Sequence, residues 1–162
     1  MAIDLSDLSE VVTLSTRHPS EAPTLLGKSF VTPWFSMDAD RSAIFEKATY
    51  LDDYPHPYGG AEGYGEDLVE GYHLLGMLDY LFNHALWSEG PWIAWNYGLD
   101  NVRFVSVVRH DDRFRIRGTI TQVIDRGRQG HLLVIDCTAE VAARERPGFV
   151  ATQRVLWASP TS

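Results

Sequence analysis

The sequence has one cysteine, two lysines and no apolar run long enough to span a membrane. The lone Cys137 excludes an intrachain disulfide, and no CxxC or His-rich spacing offers a metal site. It falls inside LLVIDCTAEV, a setting for a buried thiol rather than a nucleophile. Only Lys28 and Lys47 supplement the arginines, and 22 acidic against 14 basic residues leave a net charge of −8. With no basic stripe, that balance argues against a nucleic-acid surface; RFRIRG and DRGRQG read as strand alternation and a turn. A membrane helix needs about 20 apolar residues, which no stretch supplies. MAIDLSDLSE lacks the basic and apolar regions of a signal peptide, so a cytoplasmic protein is expected. Gly59, Gly60, Gly63 and Gly65 come without the GK[ST] of a phosphate loop, and there is no Gly-x-Ser-x-Gly elbow. No cofactor and no metal are expected.

A chain of 162 residues, 44% of them hydrophobic, suits one domain with a real core. Residues 1–24 read as a polar arm, with Leu5, Leu8, Val11 and Val12 spaced for a short amphipathic helix that Pro19 and Pro23 would end. Residues 25–162 read as the domain. LLGKSFVTPWFSM is a strand interrupted by proline, and the next segment is a helix capped by Asp38 or Asp40. After a Gly-, Pro- and Tyr-rich loop, DLVEGYHLLGMLDYLFNHALW (67–87) predicts one long helix, apolar around much of its circumference. WIAWNYG, VRFVSVV, RFRIRGTITQVI, HLLVIDCTAEVA and FVATQRVLWAS all predict strands. One wrapped helix followed by antiparallel strands is an α+β pattern.

The loop YLDDYPHPYGG carries two aspartates and a histidine among tyrosines, prolines and glycines. Read alone it is either an acid–base site or a turn in which Asp52 and Asp53 bond their own backbone. Together with VEGYHLLGML and NVRFVSVVRHDDRFRIRG, in this order, it resembles the MaoC-like, or (R)-specific enoyl-CoA hydratase, family. That family's motifs are D-x-N-P-x-H, H-G-M-L and R-F-x-x-P-V-x-x-G-D. The resemblance covers roughly residues 25–158. Gly71, Arg103, Phe104, Val108 and Asp112 match; Val107 and Asp111 replace a proline and a glycine, and Glu70 stands where the family commonly has histidine. With Pro55 aligned, Asp52 matches the family acid, Tyr54 takes the asparagine position and Pro57 the histidine position; with His56 aligned, the acid position is Leu51.

The resemblance implies a hot-dog fold, in which a curled antiparallel sheet wraps one long helix, and a homodimer. It also implies hydration of an unsaturated acyl thioester, or dehydration of a 3-hydroxyacyl thioester, carried by CoA or an acyl carrier protein. Asp52 or Asp53 with His56 would handle water and proton, and the N–H groups near Gly71 would polarise the thioester carbonyl. Glu70 and His73 lie at the helix start, where His73 is either a second acid–base group or a helix-interface histidine. Tyr54, Tyr58 and Tyr72 either line a pocket or fill a loop. Two other readings stay open: a tailoring dehydratase, isomerase or cyclase on a polyketide-type or other small polar substrate, and a catalytically inactive ligand-binding or partner subunit. His84 reads as structural, and His18, His110 and His131 belong to no constellation.

Overall fold

The computed structural model describes residue 8 and residues 10–53 and 67–160. In chain order the elements are β1 (Leu14–Thr16), a 3-10 helix (Pro19–Leu25), β2 (Ser29–Val31), β3 (Phe35–Ser36), α1 (Ala39–Ala48), a 3-10 turn (Leu51–Asp53), α2 (Gly71–Phe82), β4 (Leu86–Ser88), β5 (Ile93–Phe104), β6 (Arg113–Asp125), a 3-10 turn (Gly127–Gln129), β7 (His131–Val141) and β8 (Phe149–Ala158).

Alternation along the second half of the chain builds one antiparallel sheet in the order β2-β6-β7-β8-β5, with β3 also pairing β6. On β8 the side chains of Phe149, Ala151, Gln153, Val155 and Trp157 are buried, and those between them are half-buried. Helix α2 lays Leu74, Leu75, Leu78, Leu81 and Phe82 into the core, a spacing that keeps them on one face. Each fully buried side chain of this size stabilises the fold by about 1.5–3 kcal/mol. Gly118 on β6 leaves room for the Phe30 ring, which meets Phe82 edge-on at 5.1 Å. This is the α+β arrangement the sequence predicts.

Several local expectations are corrected. The central helix is shorter than 67–87: it begins at Gly71 and ends at Phe82, followed by the cap residue Asn83, whose N–H bonds Asp79 O. Before it, Leu68 bridges Arg109 and the Val69 N–H bonds Val108 O; after it, Leu86–Ser88 turns into strand. The apolar spacing of Val11 and Val12 belongs to no helix. Val12 bridges Val31, and β1 pairs in parallel with β4. Pro19 opens the following 3-10 helix and Pro23 lies inside it, while Ala22 and Leu25 enter the core. WIAWNYG and VRF form a single strand, β5, with register shifts after Asn96 and Asp100. The three arginines of RFRIR are not equivalent either. Arg115 is buried because its guanidinium bonds Glu140 at 2.7 Å and Glu10 at 2.6 Å and lies 4.4 Å from the Trp34 ring. Among the described residues no helix is long and apolar enough to cross a membrane.

Candidate functional site

Asp38 starts α1 by accepting hydrogen bonds from the N–H groups of Asp40, at 3.0 Å, and Arg41, at 3.3 Å. Helical spacing then puts Ser42 and Phe45 on one face, toward the first turn of α2. There the His73 ring stacks on Phe45, with centroids 4.6 Å apart and planes 4° from parallel. His73 Nδ1 lies 3.4 Å from Ser42 Oγ. A cavity of about 700 Å³ opens beside this pair, lined also by Phe35, Met37, Arg41, Met77 and Tyr80. Burial pushes the His73 pKa below its ordinary value, and the charge of His110 adds to the effect. A neutral imidazole facing a cavity can take a proton near neutral pH and give it back as the imidazolium.

A second concavity, of about 470 Å³, surrounds the start of α2 and is lined by Glu70, Gly71, Tyr72 and the segment from Phe104 to Val108. Glu70 is the N-cap residue and makes no side-chain capping bond. The first N–H groups of the helix have no acceptor four residues back within it, which gives this end its partial positive character. The ring of Phe104 lies over Gly71; a Cβ there would come 2.6 Å from Phe104 Cζ. Absence of a side chain at position 71 is therefore what lets the ring pack against the start of the helix.

The sequence-predicted residues thus divide between two places. Glu70, Gly71 and Tyr72 share the groove, while His73 faces the α1 cavity together with Met77. Asp52 and Asp53 lie on the exposed 3-10 turn just after α1, preceded by Tyr50 at φ 60°, and line neither concavity. Tyr54, His56 and Tyr58 lie outside the described residues. Ser42 and Phe45 join the site with no motif to mark them. They share a helix face, which spacing can reveal, but their meeting with His73 is purely tertiary. Phe104 falls in a matched motif, yet its place over Gly71 has no signal in the sequence. His110, at an unspecified position of the third motif, acts on His73 through its charge from far along the chain.

No family model matches the chain. Nodulation protein N of Rhizobium leguminosarum bv. viciae is 28% identical over 138 residues, covering 82% of this chain and 84% of that protein. The 3-hydroxyacyl-thioester dehydratase Z of Mycobacterium tuberculosis is 28% identical over 127 residues, covering 76% of this chain and 84% of the relative. Among solved structures, the R-hydratase PhaJ1 from Pseudomonas aeruginosa superposes with a TM-score of 0.63 at 12% identity, covering 90% of this chain and 89% of that one. The shared architecture is the hot-dog fold.

Proposed function

Starting from a MaoC-like hot-dog chain, we propose that this protein is a lyase that hydrates an unsaturated acyl thioester or dehydrates a 3-hydroxyacyl thioester. The observation that carries the reading is the pairing at the start of α2: a neutral-favouring His73 on one flank and a groove of helix N–H groups at Gly71 on the other. Similarity to a thioester dehydratase and to an R-hydratase supports the reaction class.

Hydration of a 2-enoyl thioester needs three parts. A base removes a proton from water as its oxygen bonds C3. The electron pair of the double bond moves toward the thioester carbonyl, where donors stabilise the enolate oxygen. An acid then protonates C2. We assign the water to Asp52 or Asp53 acting with His56, the carbonyl to the N–H groups at Gly71, and a further proton-transfer role to His73. Glu70, Tyr72, Tyr54 and Tyr58 are assigned to substrate contact. Dehydration uses the same groups in reverse.

A homodimer fits this reading. Strand β5 lies at one edge of the sheet and exposes Trp95, Tyr97 and Leu99, an apolar row a second copy would cover. The test of function is turnover. Purified protein is offered 2-enoyl thioesters on CoA and on an acyl carrier protein, alongside Asp52→Asn, Asp53→Asn and His73→Gln variants. The reading expects hydration by the wild type and a loss on the order of a hundredfold or more in the variant that removes the essential acid or base. Absence of turnover on every thioester overturns it.

A further inference from the structure

On the flank of α2 away from His73 lies a third cavity, of about 660 Å³, between the helix and β5. Its walls are mostly apolar, with Leu75, Val102 and Phe104 prominent, and no lysine or arginine lines it among the described residues. Two amide groups interrupt that lining. Gln153 occupies a core-facing position of β8 whose row is otherwise Phe149, Ala151, Val155 and Trp157. It is 4% exposed. Its Nε2–H donates to Asn96 Oδ1 at 3.0 Å, and its Oε1 is buried with no hydrogen-bond partner among the described residues. Asn96 stands where the β5–β8 register shifts, an irregularity that commonly re-aims side chains beside functional sites.

Buried amide oxygens are nearly always paired, so an unpaired one on a residue that lines a cavity needs an explanation. The terminal torsion of glutamine is broad, so the amide can rotate to present this oxygen to an incoming donor. Tyr72 and Phe104 line both this cavity and the groove at Gly71, which makes the two neighbours. Leu75 and Asp79, also in its lining, lie about 6–12 Å along the helix axis from Gly71 at 1.5 Å per residue. A chain whose thioester carbonyl sits at Gly71 and that runs along α2 would therefore reach this lining several carbons further on.

We propose that this cavity receives the acyl chain and that the Gln153–Asn96 amide pair selects medium-length chains bearing a hydroxyl over plain hydrocarbon chains. The hydroxyl hydrogen is donated to Gln153 Oε1, and the hydroxyl oxygen accepts from the Asn96 amide. Asp79 in the lining, with no lysine or arginine beside it among the described residues, disfavours chains ending in a carboxylate. This inference rests on the acyl-thioester reading above.

The experiment compares two 2-enoyl-CoA thioesters of equal medium length, one with a distal hydroxyl, on the wild type, Gln153→Met and Asn96→Ala. Calorimetry with the corresponding saturated, unreactive thioesters runs in parallel. The wild type is expected to favour the hydroxylated compound by about tenfold in kcat/KM and in Kd, the size of one added hydrogen bond. In Gln153→Met that ratio falls to about one without loss of thermal stability, because an unpaired buried acceptor has been removed. Asn96→Ala, on an exposed residue, lowers the ratio and covers the case in which Gln153→Met fails to fold. Equal handling of both compounds by the wild type, no binding of either, or an unchanged ratio in the folded variants overturns the proposal. If no thioester turns over yet the saturated hydroxylated one binds about tenfold tighter and Gln153→Met abolishes the difference, the selective cavity stands and the hydratase reading falls. Turnover without preference means the reverse: the hydratase reading stands and the selective cavity falls.

Discussion

The imidazole of His73 lies flat against the ring of Phe45, 4.6 Å away and 4° from parallel. This contact joins α1 to the first turn of α2, and the Ser42 hydroxyl lies beside it. Burial favours the neutral ring. His73 is therefore predicted to titrate below the ordinary histidine value of 6.5, as followed by NMR of the ring protons. Replacing Phe45 by Ala opens the ring to water and moves the midpoint upward. His110→Asn removes a repelling charge and also raises it, by less, because burial is the larger cause. The folded pKa is depressed, so the associated stability is full above 6.5 and declines as the pH falls through the folded value.

Gly71→Ala tests the groove at the helix start. The new methyl collides with the Phe104 ring, but that ring is 46% exposed and free to swing outward. The expected result is a folded protein whose thermal midpoint changes little, together with a fall in turnover on the order of tenfold to a hundredfold as the methyl crowds the N–H donors. Activity equal to wild type would remove this groove from the mechanism.

How much of the fold and the site is legible in the sequence depends on which interactions are local. The alternation of β8, the Asp38 cap and the apolar face of α2 are written at fixed short spacings, so these elements can be read directly. The sequence pattern starts the central helix too early because Asp67, Leu68 and Val69 are compatible with helix; their pairing with 108–110 is a tertiary choice. For the same reason the His73–Phe45 stack and the Gln153–Asn96 pair cannot be read. Each joins residues whose proximity exists only after α1 packs on α2, or β5 on β8.

The Arg115–Glu140–Arg117 network predicts a specific acid sensitivity. Burial alone pushes the Glu140 carboxyl up, but hydrogen bonds from Arg117 and Arg115, helped by their charges, outweigh it and hold the pKa below the ordinary 4.5. A depressed carboxylate contributes stability that is complete above its unfolded pKa and is lost as the pH falls through the folded one. Urea unfolding of the wild type should therefore weaken steadily below pH 4.5. Glu140→Gln should cost on the order of 1–3 kcal/mol near neutral pH and flatten that slope.

Gly118→Ala probes the sheet beneath the helix. Its methyl would land on the ring of Phe30, which is fully buried and pinned edge-on against Phe82. Unlike Phe104, this ring has nowhere to go. A loss of about 1–3 kcal/mol in unfolding free energy is expected from overpacking, and a change within error would show that the β2–β6 contact is looser than described.

The most direct test of the central claim follows loss of the conjugated enoyl thioester as wild type and His56→Ala are mixed with 2-enoyl-CoA and 2-enoyl-carrier substrates. The account predicts hydration by the wild type and a rate lower by roughly a hundredfold or more in His56→Ala. Equal rates in the two proteins, or no hydration of any enoyl thioester by the wild type, would contradict it.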